Sequence, residues 1–232
     1  MRNEAPCVAL VIPALNEEDA LPQVLAELPR QTFSQIIVVD NGSTDRTAEV
    51  ALRCGATVVA EPRRGYGRAC LAGLMQLAPE TEAVVFLDAD ASDVPAEVQR
   101  VLEPILAGEA DLVIGSRTLG QAEPGALGWH QRWGNWLATR LIRWLFGFQY
   151  TDLGPFRAIG RAQLQALAMQ DHNYGWTVEM QIKAAQRGLR VREVPVSYRR
   201  RKGRSKISGT LRGTLLAGTK ILWTTLRLRL MR

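Results

Sequence analysis

Residues 84–92 read VVFLDADAS. Four apolar residues, two of them β-branched, have the character of a buried strand and run directly into Asp88-Ala89-Asp90. Alternate side chains of an extended segment share a face, so Asp88 and Asp90 point the same way. Two such carboxylates can share one hard divalent cation, which takes oxygen ligands. A cation so placed can hold a diphosphate and stabilise it as a leaving group. Upstream and downstream, strand-like runs stand at 7–13 (CVALVIP), 35–40 (QIIVVD), 56–60 and 111–116 (DLVIGS), with the central one at 83–88. Helical patterns lie between them at about 17–28, 45–54, 67–78 and 95–107, with Thr44/Asp45 and Asp93-Val94-Pro95 as helix-start signals. Apolar strands separated by helices predict an α/β fold with a mostly parallel, doubly wound sheet covered on both faces. In such sheets ligands bind beyond the carboxyl ends of the strands. Asn16/Glu17, Asp40/Asn41, Asp88/Asp90 and Arg117 all stand at those ends.

The second half has a different texture. Residues 129–148 form a helical pattern with Trp133, Trp136, Leu137, Leu141, Trp144, Leu145 and Phe148 on one face. Such a face either packs on the sheet or lies in a lipid headgroup layer, where tryptophan and arginine are both favoured. A short helix near 161–169, a helical stretch at 175–188 and a strand at 192–198 follow. The last segment, about 210–230, is a basic amphipathic helix whose apolar stripe is interrupted by Arg212 and Arg229.

Of the 232 residues, 47% are hydrophobic and 22% charged, the balance of a folded globular chain. The net charge of +6 is unevenly placed: residues 1–198 carry 18 Lys and Arg against 23 Asp and Glu, and residues 199–232 carry 11 basic residues and no acidic one. A body at −5 therefore bears a tail at +11, suited to an anionic partner. Three cysteines without a CxxC and two histidines offer neither a disulfide framework nor a histidine-based metal cluster. No signal peptide is legible, and no run of 18 uncharged apolar residues is present. The expected location is the cytoplasm, peripheral on the inner membrane face.

PALNEE (13–18), VVDNGSTD (38–45), RRGYGRA (63–69), LDAD (87–90) and GSR (115–117) occur in this order. In that combination the chain resembles the inverting nucleotide-sugar glycosyltransferases of family 2. DLGPFRAI, GWTVEMQIKAAQRG and GRSKIS extend the likeness over about residues 6–209, toward the dolichyl- and polyprenyl-phosphate sugar synthases. The resemblance implies a GT-A domain over 1–209, with a nucleotide-sugar half (1–118) and an acceptor half (119–209), followed by the helix of 210–232. It implies Mg²⁺ or Mn²⁺ on Asp88 and Asp90, with Asp90, Arg117 and Glu179 as the catalytic residues. It places Pro13, Leu15, Glu17, Asp40, Arg64, Asp88, Ala89, Arg204 and Lys206 on the donor. It places Arg117, Arg132 and Ser205 on the acceptor phosphate. The family often carries Gln two residues past the second Asp. This chain has Ser92 there, followed by Asp93, either a further ligand or a helix cap. Asp40 alternatively serves as a turn cap with its neighbours, and Gly65 and Gly67 as a plain tight turn.

Glu179 and Asp152 are the remaining carboxylates of interest. A sugar hydroxyl acceptor needs a general base, whereas an ionised phosphate attacks without one, which leaves these two for a positioning or structural role. The expected activity is transfer of one sugar from GDP-mannose or UDP-glucose to a polyprenyl or dolichyl phosphate, with residues 129–148 and 210–232 on the membrane surface and no nucleic acid partner. Two rivals stay open: the same fold with a soluble acceptor, and a non-catalytic module that docks its basic tail on membrane or nucleic acid.

Overall fold

The computed structural model describes residues 6–203 and 211–230, the latter without the side chains of 211–218 and 221. Seven strands form one sheet: β1 (Val8–Ala14), β2 (Gln35–Asp40), β3 (Thr57–Ala60), β4 (Ala83–Phe86), β5 (Leu112–Ser116), β6 (Arg157–Gly160) and β7 (Val191–Pro195), in the order β3-β2-β1-β4-β6-β5-β7. Neighbours pair in parallel except β6, which runs antiparallel between β4 and β5. The helices are α1 (Leu21–Glu27), α2 (Thr47–Arg53), α3 (Tyr66–Leu74), α4 (Val98–Leu106), α5 (Trp129–Phe146), α6 (Arg161–Leu167), α7 (Trp176–Gln186) and α8 (Leu211–Leu230). Every residue of β1 is buried. Leu10 and Ile12 enter one core and Val11 the other, as the two-residue period of a strand covered on both faces requires.

From β1 the chain first builds outward through β2 and β3, then returns to lay β4 on the other side of β1. The carboxyl ends of β1 and β4 thus diverge into a crevice at the point where the winding direction reverses, the place where such sheets bind ligands.

Strand β6 went unread in the sequence. Arg-Ala-Ile-Gly opens with a charged residue and has no alternation, yet Arg157 is fully buried. Its guanidinium donates to the carbonyls of Gly154 and Thr177. The interval 119–209 therefore supplies β6 and β7 to the same sheet as residues 1–118, and the two intervals interleave. Asp93 is no helix cap: a 3-10 turn over Pro95–Glu97 leads into α4 without any side-chain cap. Asp45 does hold the start of α2, accepting the Thr47 N–H at 3.0 Å.

The tryptophan-bearing face read for 129–148 is not the face that packs on the core. The buried face of α5 is Ala138, Thr139 and Ile142, while Trp129, Trp133, Trp136 and Trp144 are 80, 58, 51 and 81% exposed. Helix α8 packs against α5 and α7 and exposes Trp223, Leu226 and Leu230. Among the described residues no helix is long and apolar enough to cross a membrane.

Candidate active site

The crevice at the ends of β1 and β4 holds a cavity of about 590 Å³. Pro13, Leu15 and Glu17 come to it from the end of β1, Arg64 from the turn before α3, and Asp88, Ala89 and Asp90 from the end of β4. Seven of the candidates named from sequence thus meet on one cavity. Asp40 is not among its lining residues: its Oδ1 accepts the Ser43 N–H at 3.0 Å, the turn-capping alternative. Its neighbour Asn41 lines the cavity instead, donating through Nδ2 to the carbonyls of Glu61 and Arg63 and accepting the Gly65 N–H. Those bonds fix the turn that presents Arg64.

Gly65 of that turn and Gly67 in the first turn of α3 serve backbone approach within the protein. A Cβ on Gly67 would lie 1.9 Å from the carbonyl oxygen of Asp171, and one on Gly65 2.2 Å from that of His172. The loop so docked brings Asn173 and Tyr174 to the cavity wall. Glu179 holds this loop from behind. Its buried carboxylate accepts the N–H groups of Gln170 and Asp171 and pairs with Lys183 at 2.7 Å. It is not among the lining residues of the cavity.

At the centre, Tyr66 O–H donates to Asp88 Oδ1 at 3.1 Å. Asp90 Oδ1 accepts both the N–H and the hydroxyl of Ser92, so Ser92 orients Asp90. Burial and the charge of Asp90 push the Asp88 carboxyl up to about 7. Asp93 lies fully buried with both carboxylate oxygens unpartnered among the described residues, and burial with the charge of Asp88 drives its carboxyl well upward. Arg201 Nη2 sits 2.6 Å from Asp90 Oδ2, a positive charge against the pair. Among the described residues no three metal-type side chains form a ready cage. A pair of hard carboxylates in a repelling acidic turn, answered by a cation, nevertheless fits a divalent ion of the kind held by one or two carboxylates plus substrate phosphates. Asp88 and Asp90 are the residues that would hold it.

A second cavity of about 520 Å³ lies between β5 and α5 and is lined by Arg117, Arg132, Asn135, Trp136 and Arg140, among others. Asp152 accepts the Nε–H of Arg117 at 2.8 Å and its Nη2–H at 2.7 Å, and the Arg117 guanidinium lies 5.0 Å from the centre of the Tyr198 ring. Burial alone would lower the Arg117 pKa, but Asp152 outweighs it and raises it, so the guanidinium stays charged. Of the two carboxylates, Asp152 is the one that holds Arg117. Arg204, Ser205 and Lys206 lie outside the described residues. Tyr66, Asn173, Tyr174 and Arg201 were not singled out from sequence. Tyr66 stood inside the quoted RRGYGRA, and Arg201 inside the basic run, where nothing distinguishes it from its neighbours.

The model of "Glycosyl transferase family 2" matches residues 9–167. The chain belongs to glycosyltransferase family 2. An uncharacterized glycosyltransferase of Mycobacterium tuberculosis is 41% identical to it over 215 residues, covering 90% of this chain and 94% of the relative. A dolichyl-phosphate hexose transferase of Haloferax volcanii is 35% identical, with 86% of each chain covered. Among solved structures, glucosyl-3-phosphoglycerate synthase of M. tuberculosis, in complex with Mn²⁺, UDP-glucose and phosphoglyceric acid, superposes with a TM-score of 0.78 at 25% identity, over 97% of this chain and 80% of that one. The family-2 glycosyltransferase thus has the expected GT-A sheet.

Proposed function

We propose that this glycosyltransferase moves one hexose, with inversion, from a nucleoside diphosphate-sugar to the phosphate of a polyprenyl or dolichyl lipid at a membrane surface. The observation that carries the reading is the second cavity. It is rich in arginine, and the helix that walls it lines it with Trp136 and exposes Trp129, Trp133 and Trp144. Arg117, Arg132 and Arg140 suit a phosphate, which a guanidinium binds through paired N–H donors. Trp129, Trp133 and Trp144, with Trp223, Leu226 and Leu230 of α8, suit the headgroup layer above it.

In this reading the donor occupies the cavity of Asp88 and Asp90, with its base and ribose against Pro13, Leu15 and Glu17. A divalent ion, Mg²⁺ or Mn²⁺, when bound supplies the positive charge that offsets the charge developing on the leaving diphosphate. An acceptor phosphate oxygen, held by Arg117 and Arg132, forms the new bond to the anomeric carbon from the face opposite the diphosphate. The bond to the diphosphate breaks with its electron pair going to the departing oxygen. An ionised phosphate needs no general base, in keeping with Glu179 being committed to the 170–171 backbone. The Haloferax relative's name supports the lipid acceptor.

The likeness to glucosyl-3-phosphoglycerate synthase favours a second reading, a small phosphorylated acceptor in the same arginine cavity. One assay separates them. Labelled GDP-mannose and UDP-glucose are offered with Mn²⁺, with and without polyprenyl phosphate and with 3-phosphoglycerate. Organic-extractable label that chelator abolishes is the expected result. Label appearing only in a water-soluble phosphorylated product would overturn the lipid reading and leave the transferase.

A further inference from the structure

The segment 198–202 is fastened to the turn that carries the paired aspartates. Arg199 N–H donates to the Ser92 carbonyl at 2.7 Å, Lys202 N–H to the Asp90 carbonyl at 2.9 Å, and Tyr198 forms an antiparallel bridge with Asp93. The Arg199 side chain is tied down on Glu27 at 2.5 Å. The guanidinium of Arg201 is thereby delivered into the donor cavity, 2.6 Å from Asp90 Oδ2 and 3.8 Å from Glu17 Oε1. Asp90 Oδ1 is already occupied by Ser92. Oδ2 is therefore the oxygen left for an outside cation, and Arg201 stands on it. A guanidinium has donors and no lone pair to share with a metal, and two cations on one carboxylate oxygen repel each other.

We propose that Arg201 is a built-in counter-cation of the aspartate pair, which a divalent metal ion must displace from Asp90 in order to bind. The inference rests on reading Asp88 and Asp90 as the metal residues. Its physical basis is the like-charge repulsion of the paired carboxylates: Asp88 and Asp90 stand two residues apart just past β4 and line the cavity that Arg201 enters. A positive charge on a tethered backbone relieves that repulsion when the metal is away. Its side chain is 31% exposed, so it has room to swing off by rotation while the Lys202 N–H keeps the segment on Asp90. Metal binding is then an exchange of cations.

A purely structural ion pair predicts the opposite sign. If Arg201 only held the cavity together, removing it would loosen the ligands and weaken metal binding. If it competes, removing it tightens binding. The probe is Mn²⁺ alone, without nucleotide, added to chelator-stripped protein, with free Mn²⁺ read by electron paramagnetic resonance. Arg201→Gln should bind Mn²⁺ about tenfold more tightly than wild type, the scale of one charge-assisted bond removed from a part-exposed pair. Lys202→Gln, which removes a neighbouring charge of the same sign, should stay within about twofold, because a solvated charge off the carboxylate is screened.

An Arg201→Gln affinity equal to or below wild type would overturn the proposal. So would Lys202→Gln tightening as much as Arg201→Gln, since the effect would then belong to the general field. An affinity untouched by Asp90→Asn would overturn the metal assignment, and the proposal with it. Should Arg201→Gln not fold, the wild-type Arg201 Nε–H resonance is followed during a Mg²⁺ titration. It should move at the concentrations that saturate the site, and a resonance that stays still would equally refute the exchange.

Discussion

Replacing Asp152 with asparagine tests whether Arg117 is held by a buried charge pair. Asp152 Oδ2 accepts the backbone N–H and the Nε–H of Arg117, both at 2.8 Å, and Oδ1 accepts the Nη2–H at 2.7 Å. The two side chains are 1% and 16% exposed, so little water can replace the lost carboxylate. Asparagine keeps the volume, removes the charge and turns an NH₂ against an N–H donor. Removing one partner of a buried pair typically costs about 3–5 kcal/mol, because the other charge stays buried. The face of Tyr198, 5.0 Å away, retains about 0.5–1 kcal/mol of attraction for the guanidinium. The expected loss is thus near the lower bound, about 3 kcal/mol. In a chain of this length that lowers Tm by about 6–12 °C at 2–4 °C per kcal/mol. Denaturant unfolding gives the free energy, and Arg117→Met/Asp152→Leu should recover part of it, since no charge is then stranded. Asp152→Asn should also raise the acceptor KM while UDP or GDP affinity stays within about twofold, because Asp152 is not a wall of the donor cavity. A loss below about 1 kcal/mol, the range of exposed pairs, or a double variant no more stable than Asp152→Asn, would refute the reasoning.

The remaining predictions concern the donor turn, the carboxylates and the aromatic face. Gly67→Ala sets a Cβ 1.9 Å from a backbone oxygen, so it should cost about 1–3 kcal/mol by overpacking and weaken nucleotide binding together with stability; unchanged nucleotide affinity in calorimetry would count against the docked-loop account. Asp88 titrates near 7 in the fold against 3.8 as its ordinary value, so the folded state holds its proton more tightly. Ionising it costs stability progressively as pH rises from about 4 to 7, and the full penalty stands above that range. In chelator, Asp88→Asn should therefore gain on wild type between pH 5 and pH 8, and a gap that is flat or narrows with pH would sink this. Trp133→Ala/Trp144→Ala should reduce sedimentation with anionic vesicles by about tenfold or more, at a stability change within about 0.5 kcal/mol for exposed positions; full retention on vesicles would remove α5 from the proposed docking face.

The alternation of buried strands and helices fixed the fold class and put Pro13, Leu15, Glu17, Asp88 and Asp90 at strand ends. This was legible because strand period, apolar runs and turn chemistry are local properties of the chain. The sequence by itself also showed that the basicity is confined to residues 199–232 and that the tryptophans cluster in 129–144. Tertiary structure alone decided what depends on contacts between distant segments. Strand β6 exists because the edges of β4 and β5 both pair with it, although its own four residues carry no strand signal. Trp129, Trp133 and Trp144 are exposed because α5 meets the core through Ala138, Thr139 and Ile142 on another face. Glu179 and Asp152, equivalent as lone carboxylates, were separated by their partners: backbone N–H groups 8–9 residues away for one, and an arginine 35 residues away for the other. Arg201 could not be told from the arginines beside it until the pairing of 198–202 with 90–93 aimed one of them at Asp90. Periodicity records which way a residue faces along its own element, and the partner it meets there is set by the chain folding back across more than a hundred residues.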